Sequence, residues 1–348
     1  MKRKLDYIEA LRGATMLLVF LHHLGVLPTY ILVFHMPMFF VISGYLHSLK
    51  EQDEDFTIFF KKKFNRLIVP YLGFEFINLL TAFSVQKLFL IMNLEHVYQI
   101  NFYYAFRNII LCLESPEYIG ITNLFWFFPC MFISELLFWF IMRIVSKGIF
   151  NGTKIIYLAI SVFLVLVSYI LHQIIRVRLP FTIDISLMAT AFMALGYYSR
   201  PIIEYFHHQK LGFQLGISLI GFVGVILAAH YNSEFLMFIN EYGNYAISYF
   251  GAIFGIIGFS NLIFGITDKG NFQVFEYLSK NSLIFYPIHL NAISFATKVF
   301  SYLNLETSSI LYTFLPVLKG AVCLILIIPC IYIINHYVPI LTGKYKLI

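Results

Sequence analysis

The chain has 348 residues, of which 60% are hydrophobic and only 12% charged, with a formal net charge of +6. So few charges cannot cover a soluble protein that must also hide 39 Phe and 24 Tyr, which excludes a soluble globular domain and implies an integral membrane protein. The basic residues stand at the ends of apolar runs rather than on one patch, so they read as topology signals and exclude nucleic acid as a partner.

A helix rises 1.5 Å per residue, so a hydrocarbon core of about 30 Å takes about 20 residues. Apolar runs of that length recur along the chain, whereas barrel strands would be about half as long and would alternate with polar residues. Ten spans are expected, roughly at 13–29, 31–49, 67–92, 122–142, 154–171, 180–199, 211–229, 243–264, 282–302 and 310–334. The stretch 93–121 is mixed, and its segment 102–113 is too short to cross and is expected along the interface. With both termini cytoplasmic, 18 Lys and Arg fall on the inner side and 6 on the outer, a bias that fits the positive-inside rule. No cleavable signal peptide, internal repeat or linker is read. The expected fold is all-α, a polytopic membrane bundle of about ten helices forming one domain over residues 1–348. Its expected location is the inner, cytoplasmic membrane of the cell.

In chain order, the first residues that a lipid-facing helix does not explain are His22 and His23, deep in the run LRGATMLLVFLHHLGVL. An ionisable side chain at such depth points to function. Arg12 stands eleven positions earlier, about 16 Å along the helix and on nearly the same face. Next comes FHMPMFFVISGY, with His35 and Pro37 near its outer start and Ser43, Gly44 and Tyr45 at its inner end. The basic run Lys61, Lys62, Lys63 and Arg66, followed by Pro70 and Tyr71, suits anionic lipid headgroups or the phosphates of a nucleotide-containing donor such as coenzyme A. Glu75, Glu135 and Asp184 are intramembrane carboxylates, costly unless they pair or work, and any of them would suit the second N–H of a histidine. Last, LSKNSLIFYPIH carries Tyr286 and His289 inward. There is no Gly-rich phosphate loop and no HExxH, and Cys112, Cys130, Cys323 and Cys330 lack metal spacing, so no metal is expected.

These residues together resemble the acyltransferase-3 family of integral membrane acyltransferases, and within it the fucose 4-O-acetylase-like or glycan O-acetyltransferase branch. The resemblance rests on the LRG opening, the Arg-x10-His spacing of Arg12 and His23, FHMPMFFVISGY, the basic run leading to RLIVPY, NLFWFFP and NSLIFYPIH, and covers roughly residues 5 to 335. It implies an O-acyltransferase that moves an acyl group, usually acetyl, from cytoplasmic acetyl-CoA to a hydroxyl of a cell-envelope glycan or lipid-linked saccharide. His23 then corresponds to the family's proposed catalytic histidine, with His35, Asp184 and Glu75 as expected partners in catalysis. The family's Arg-x2-Arg motif falls on Lys63 and Arg66, where Lys keeps the charge but gives up bidentate geometry. Arg12, Ser43, Tyr45 and Tyr71 complete the expected donor site. The alternative is a secondary transporter or flippase, which would also bury histidines and acids among about ten helices. A homo-oligomer is compatible with the chain, because lipid-facing and packing surfaces read alike.

Overall fold

The computed structural model describes residues 3–47, 51, 53–91, 102–113, 125–147, 155–175, 177–232, 234–267, 273–302 and 309–344. Outside them lie most of the mixed stretch 93–121, Asn123 and Leu124 of NLFWFFP, and six of the counted cations: Lys2, Lys50, Lys154, Arg176, Lys269 and Lys346. Among the described residues there is no strand beyond one isolated bridge between Leu236 and Glu241. That follows from the composition: in hydrocarbon every backbone N–H and C=O must be satisfied within the segment, and a helix does so.

The helices are α1 (Arg3–His23), α2 (Leu32–Leu46), α3 (Phe56–Lys63), α4 (Val69–Ile91), α5 (Phe102–Leu111), α6 (Phe127–Lys147), α7 (Ile155–Ile174), α8 (Ile183–Tyr198), α9 (Arg200–His207), α10 (Leu211–Tyr231), α11 (Tyr245–Thr267), α12 (Gln273–Lys280), α13 (Ser282–Tyr302) and α14 (Ser309–Tyr337). Nine helical segments among the described residues are long and apolar enough to cross a membrane: Thr29–Leu46, Phe56–Ser84, Phe127–Ser146, Ile155–Ile174, Pro180–Tyr198, Leu211–Tyr231, Tyr245–Thr267, Ser282–Tyr302 and Phe314–Tyr337. The chain is a multi-pass membrane protein. The segments of α2, α6, α8 and α11 are at least 61% buried and form the centre, while those of α7, α10 and α14 are at most 22% buried and form the rim.

The tenth expected span, 13–29, differs from what is observed. Helix α1 begins at Arg3 and ends at His23, so Asp6, Glu9 and Arg12 belong to it and keep it outside the nine. It still packs inside the bundle, against α2, α11, α12 and α13, with Ile8, Leu11, Met16, Val19 and Phe20 buried. Gly25 sets its end. At φ +76° it takes a left-handed conformation that favours glycine, and the N–H groups of Gly25 and Val26 close back on the carbonyls of His22 and Leu21. This cap fixes His22 and His23 in the last turn.

The expected span 67–92 also starts earlier, because the basic run is helical rather than a loop. Helix α3 passes through a π-helical turn, Phe64–Ile68, into α4. Pro70 has no N–H to give the Arg66 carbonyl four residues back, which accounts for the widened turn just before it. Small residues elsewhere let backbones touch, as hydrocarbon-embedded helices require. A Cβ on Gly44 of α2 would meet the Met193 backbone of α8, and a Cβ on Gly13 of the LRG opening would meet the Phe275 backbone of α12.

Candidate active site

At the end of the bundle that holds the basic run, a cavity of about 190 Å³ opens between α1, α2, α3, α6 and α13. Its mouth carries Arg12 and Arg66, its wall carries Ser43, His47, Glu51, Lys63 and Glu135, and its inner limit is Met16, Met36, Phe128 and Tyr286. Arg12 and Arg66 lie close enough for their charges to act on each other, and the Glu9 carboxylate on the same helix also acts on Arg12. Two like charges held together at a concave mouth favour an anion of more than one charge.

Lys63 stands differently. Its ammonium is buried, 3.0 Å from a Glu135 carboxylate oxygen and 3.6 Å from Glu51. The other Glu135 oxygen accepts from Ser43 Oγ at 2.5 Å, and His47 Nδ1 lies 3.8 Å from Glu135 and 3.6 Å from Glu51. Lys62 pairs with Glu51 at 3.1 Å and Glu54 at 3.7 Å. The lysine expected to face donor phosphates therefore holds a buried carboxylate, and a buried charge is tolerated only when so paired.

Of the other expected donor residues, Ser43 lines the cavity and two tyrosines do not. The Tyr45 hydroxyl bonds to Tyr7 and, at 3.4 Å, to Glu204, and its ring lies 5.7 Å from the Arg200 guanidinium. Arg200 in turn donates to the carbonyls of Tyr45, at 2.5 Å, and His47, tying the end of α2 to α9. Tyr71 donates to the Ile109 carbonyl at 2.9 Å and so fastens α5 to α4.

Beyond the cavity lie four histidines. His23 is exposed, His35 is buried with Nδ1 3.0 Å from the Ile31 carbonyl, and His289 is fully buried with Nδ1 2.6 Å from the Tyr286 carbonyl. Ring centroids of His22 and His23 are 5.6 Å apart, of His22 and His35 5.8 Å, and of His23 and His289 5.3 Å. The same stripes that line the cavity lead here: Arg12 and Met16 on α1 continue to His23, and Ser282 and Tyr286 on α13 continue to His289. The cavity itself stops short. Met16, its last α1 residue, is seven positions before His23, about 10 Å along the axis. Among the described residues no three His, Cys, Asp or Glu side chains converge as metal ligands would.

The expected acids sit elsewhere. Asp184 is buried at the start of α8, 2.7 Å from the Arg178 guanidinium. Glu75 is buried on α4 and acts electrostatically on Cys112. The ring partners of His23 are His22 and His289 instead. Sequence reasoning places no role on His47, and carries His289 inward without giving it a partner. The placing of His47 four residues from both Ser43 and Glu51 was a usable signal for the first, and the Tyr286 to His289 spacing for the second.

The family model described as an acyltransferase domain, acyltransferase 3, matches residues 5–336 of the chain. No curated protein matches, and no solved structure matches.

Proposed function

We propose, from the premise that the chain belongs to the acyltransferase 3 family, that it is a membrane O-acyltransferase carrying acetyl from acetyl-CoA to a hydroxyl of a cell-envelope glycan or lipid-linked sugar. In this reading the basic end faces the cytoplasm of the cell and the membrane is the inner one. The observation that carries it is the pair of guanidiniums, Arg12 and Arg66, at the mouth of a cavity whose α1 and α13 walls lead to His23.

The phosphates of the donor bind Arg12 and Arg66, by charge-assisted and bidentate hydrogen bonds. The pantetheine arm then runs along α1, where the eleven residues from Arg12 to His23 span about 16 Å. Entry requires Met16, Met36 and Tyr286 to move aside, and methionine is the side chain best able to do so. His23, exposed at the end of α1, is reached by the acceptor from the other side.

Neutral His23 takes the proton of the acceptor hydroxyl as its oxygen attacks the thioester carbonyl. The new C–O bond forms, the tetrahedral oxyanion collapses, and the C–S bond breaks. The coenzyme A thiolate leaves and takes up the proton held by the imidazolium, which returns His23 to its neutral state. The ester product carries the acetyl group.

Purified protein given labelled acetyl-CoA and extracted envelope glycans tests this. The expected result is label on glycan with the native chain, none with His23→Ala although donor binding remains, and weakened donor binding with Arg66→Ala. A native chain that moves the glycan between compartments of a vesicle without acylating it would instead support the transporter reading.

A further inference from the structure

His289 is fully buried, and its two nitrogens differ. Nδ1 lies 2.6 Å from the Tyr286 carbonyl oxygen, which can only accept. Nδ1 therefore carries the hydrogen, and in the neutral ring Nε2 presents a lone pair. Nε2 is buried and has no hydrogen-bond partner among the described residues, a costly state for a polar atom. The ring is held on its other sides by Phe285, stacked at 5.9 Å and 15°, and by the edge of Phe20 at 6.4 Å.

The Tyr286 ring, 5.9 Å away, faces the cavity, and His23 is the polar ring that approaches from α1. Its centroid is 5.3 Å from that of His289. Two imidazoles joined by an N–H···N bond of about 2.9 Å have centroids roughly 5 Å apart, so a small rotation of the exposed His23 ring completes the bond.

We infer that His289 is the positioning residue of His23: its Nε2 accepts the N–H of one His23 nitrogen, fixes the ring's tautomer and direction, and leaves the other nitrogen's lone pair facing the acceptor hydroxyl. This deepens the transferase reading and rests on it for the role of His23, though not for the geometry. The job falls to an imidazole here, where a carboxylate such as Asp184 or Glu75 was expected. A neutral partner leaves the apolar helix ends without a second buried charge.

The test reads His23 directly as well as through turnover. Diethylpyrocarbonate acylates a neutral imidazole, and peptide mass spectrometry gives the rate at His23 and at the adjacent His22 separately. In His289→Phe, which keeps an aromatic ring against Phe285, labelling of His23 is expected to fall about tenfold while His22 stays within about twofold. His289→Gln, whose side-chain oxygen reaches the Nε2 position, restores the rate to within about threefold of native. In the acetyl-CoA assay the same variants shift kcat in parallel, with the donor KM unchanged. Unaltered His23 labelling in His289→Phe, equal loss at His22 and His23, or a Gln variant no better than Phe would each overturn the inference. Labelling that follows the expected pattern in a native chain that transfers no acetyl would instead sustain the pairing and refute the transferase reading.

Discussion

Lys63 and Glu135 offer the sharpest physical test, because the structure gives the lysine a different task from the one its place in the basic run suggests. The ammonium and carboxylate are 3.0 Å apart with side chains 6% and 7% exposed. At an effective dielectric of about 20 that separation corresponds to an attraction of about 5 kcal/mol, set against a desolvation cost of similar size. Removing either partner leaves a buried charge with weaker compensation, Glu51 at 3.6 Å for the ammonium and Ser43 at 2.5 Å for the carboxylate, so Lys63→Met and Glu135→Leu should each cost about 3 kcal/mol. The double variant removes both charges and should cost only about 1–2 kcal/mol, since Ser43 can turn its hydroxyl back to its own helix. Reversible unfolding in mixed micelles would measure all four corners of this cycle, with an expected coupling of at least about 4 kcal/mol. Titration with a non-hydrolysable acetyl-CoA analogue should show the double variant binding within about threefold of native, because Lys63 works through Glu135 rather than on phosphate. Single costs that simply add, with coupling under about 0.5 kcal/mol, would refute the reasoning.

Three further outcomes follow from particular contacts. Arg12→Ala and Arg66→Ala should each weaken binding of the same analogue by about 10- to 100-fold, measured by equilibrium titration, as expected for loss of a charge-assisted bond to phosphate. Gly13→Val should cost about 2–3 kcal/mol in micelle unfolding and loosen donor binding, because the added carbons drive α1 off the Phe275 backbone and carry Arg12 with it. Asp55 caps α3 by accepting from the Thr57 N–H at 2.8 Å, and that hydrogen bond holds its carboxyl below the usual aspartate value. A lowered carboxyl stabilises the cap above the unfolded value of about 3.9, and the effect is lost as pH falls through the lower folded value. Protection of the Thr57 amide, measured against its intrinsic exchange rate, should therefore fall at the acid end, and Asp55→Asn should remove that change in protection.

Much of the bundle is legible in the sequence because membrane insertion leaves few alternatives. Uninterrupted apolar runs of about 20 residues can only be helices there. The pairing of Arg12 with His23 is legible too, since helical periodicity alone puts positions eleven apart on one face. Partnerships between helices are less so. Glu135 reaches Lys63 across 72 positions, and only tertiary packing decides that this carboxylate, rather than a phosphate, takes the ammonium. Tyr45 and Tyr71 sit in the right segments but turn to Glu204 and to the Ile109 carbonyl, because side-chain direction depends on which neighbouring helix comes close. Asp184 went to Arg178 for the same reason. The ends of α1 were misplaced because charged early turns hide a helix from a hydropathy reading, and because Gly25 stops it before the apolar run ends.

The most direct measurement places the protein in one orientation in sealed proteoliposomes and supplies labelled acetyl-CoA to one face at a time, with acceptor glycan present. Label should reach the glycan only when the donor is on the Arg12 and Arg66 side, and it should vanish in His23→Ala with donor binding intact. Equal transfer with the donor on the histidine side, or undiminished transfer without the His23 imidazole, would contradict the account.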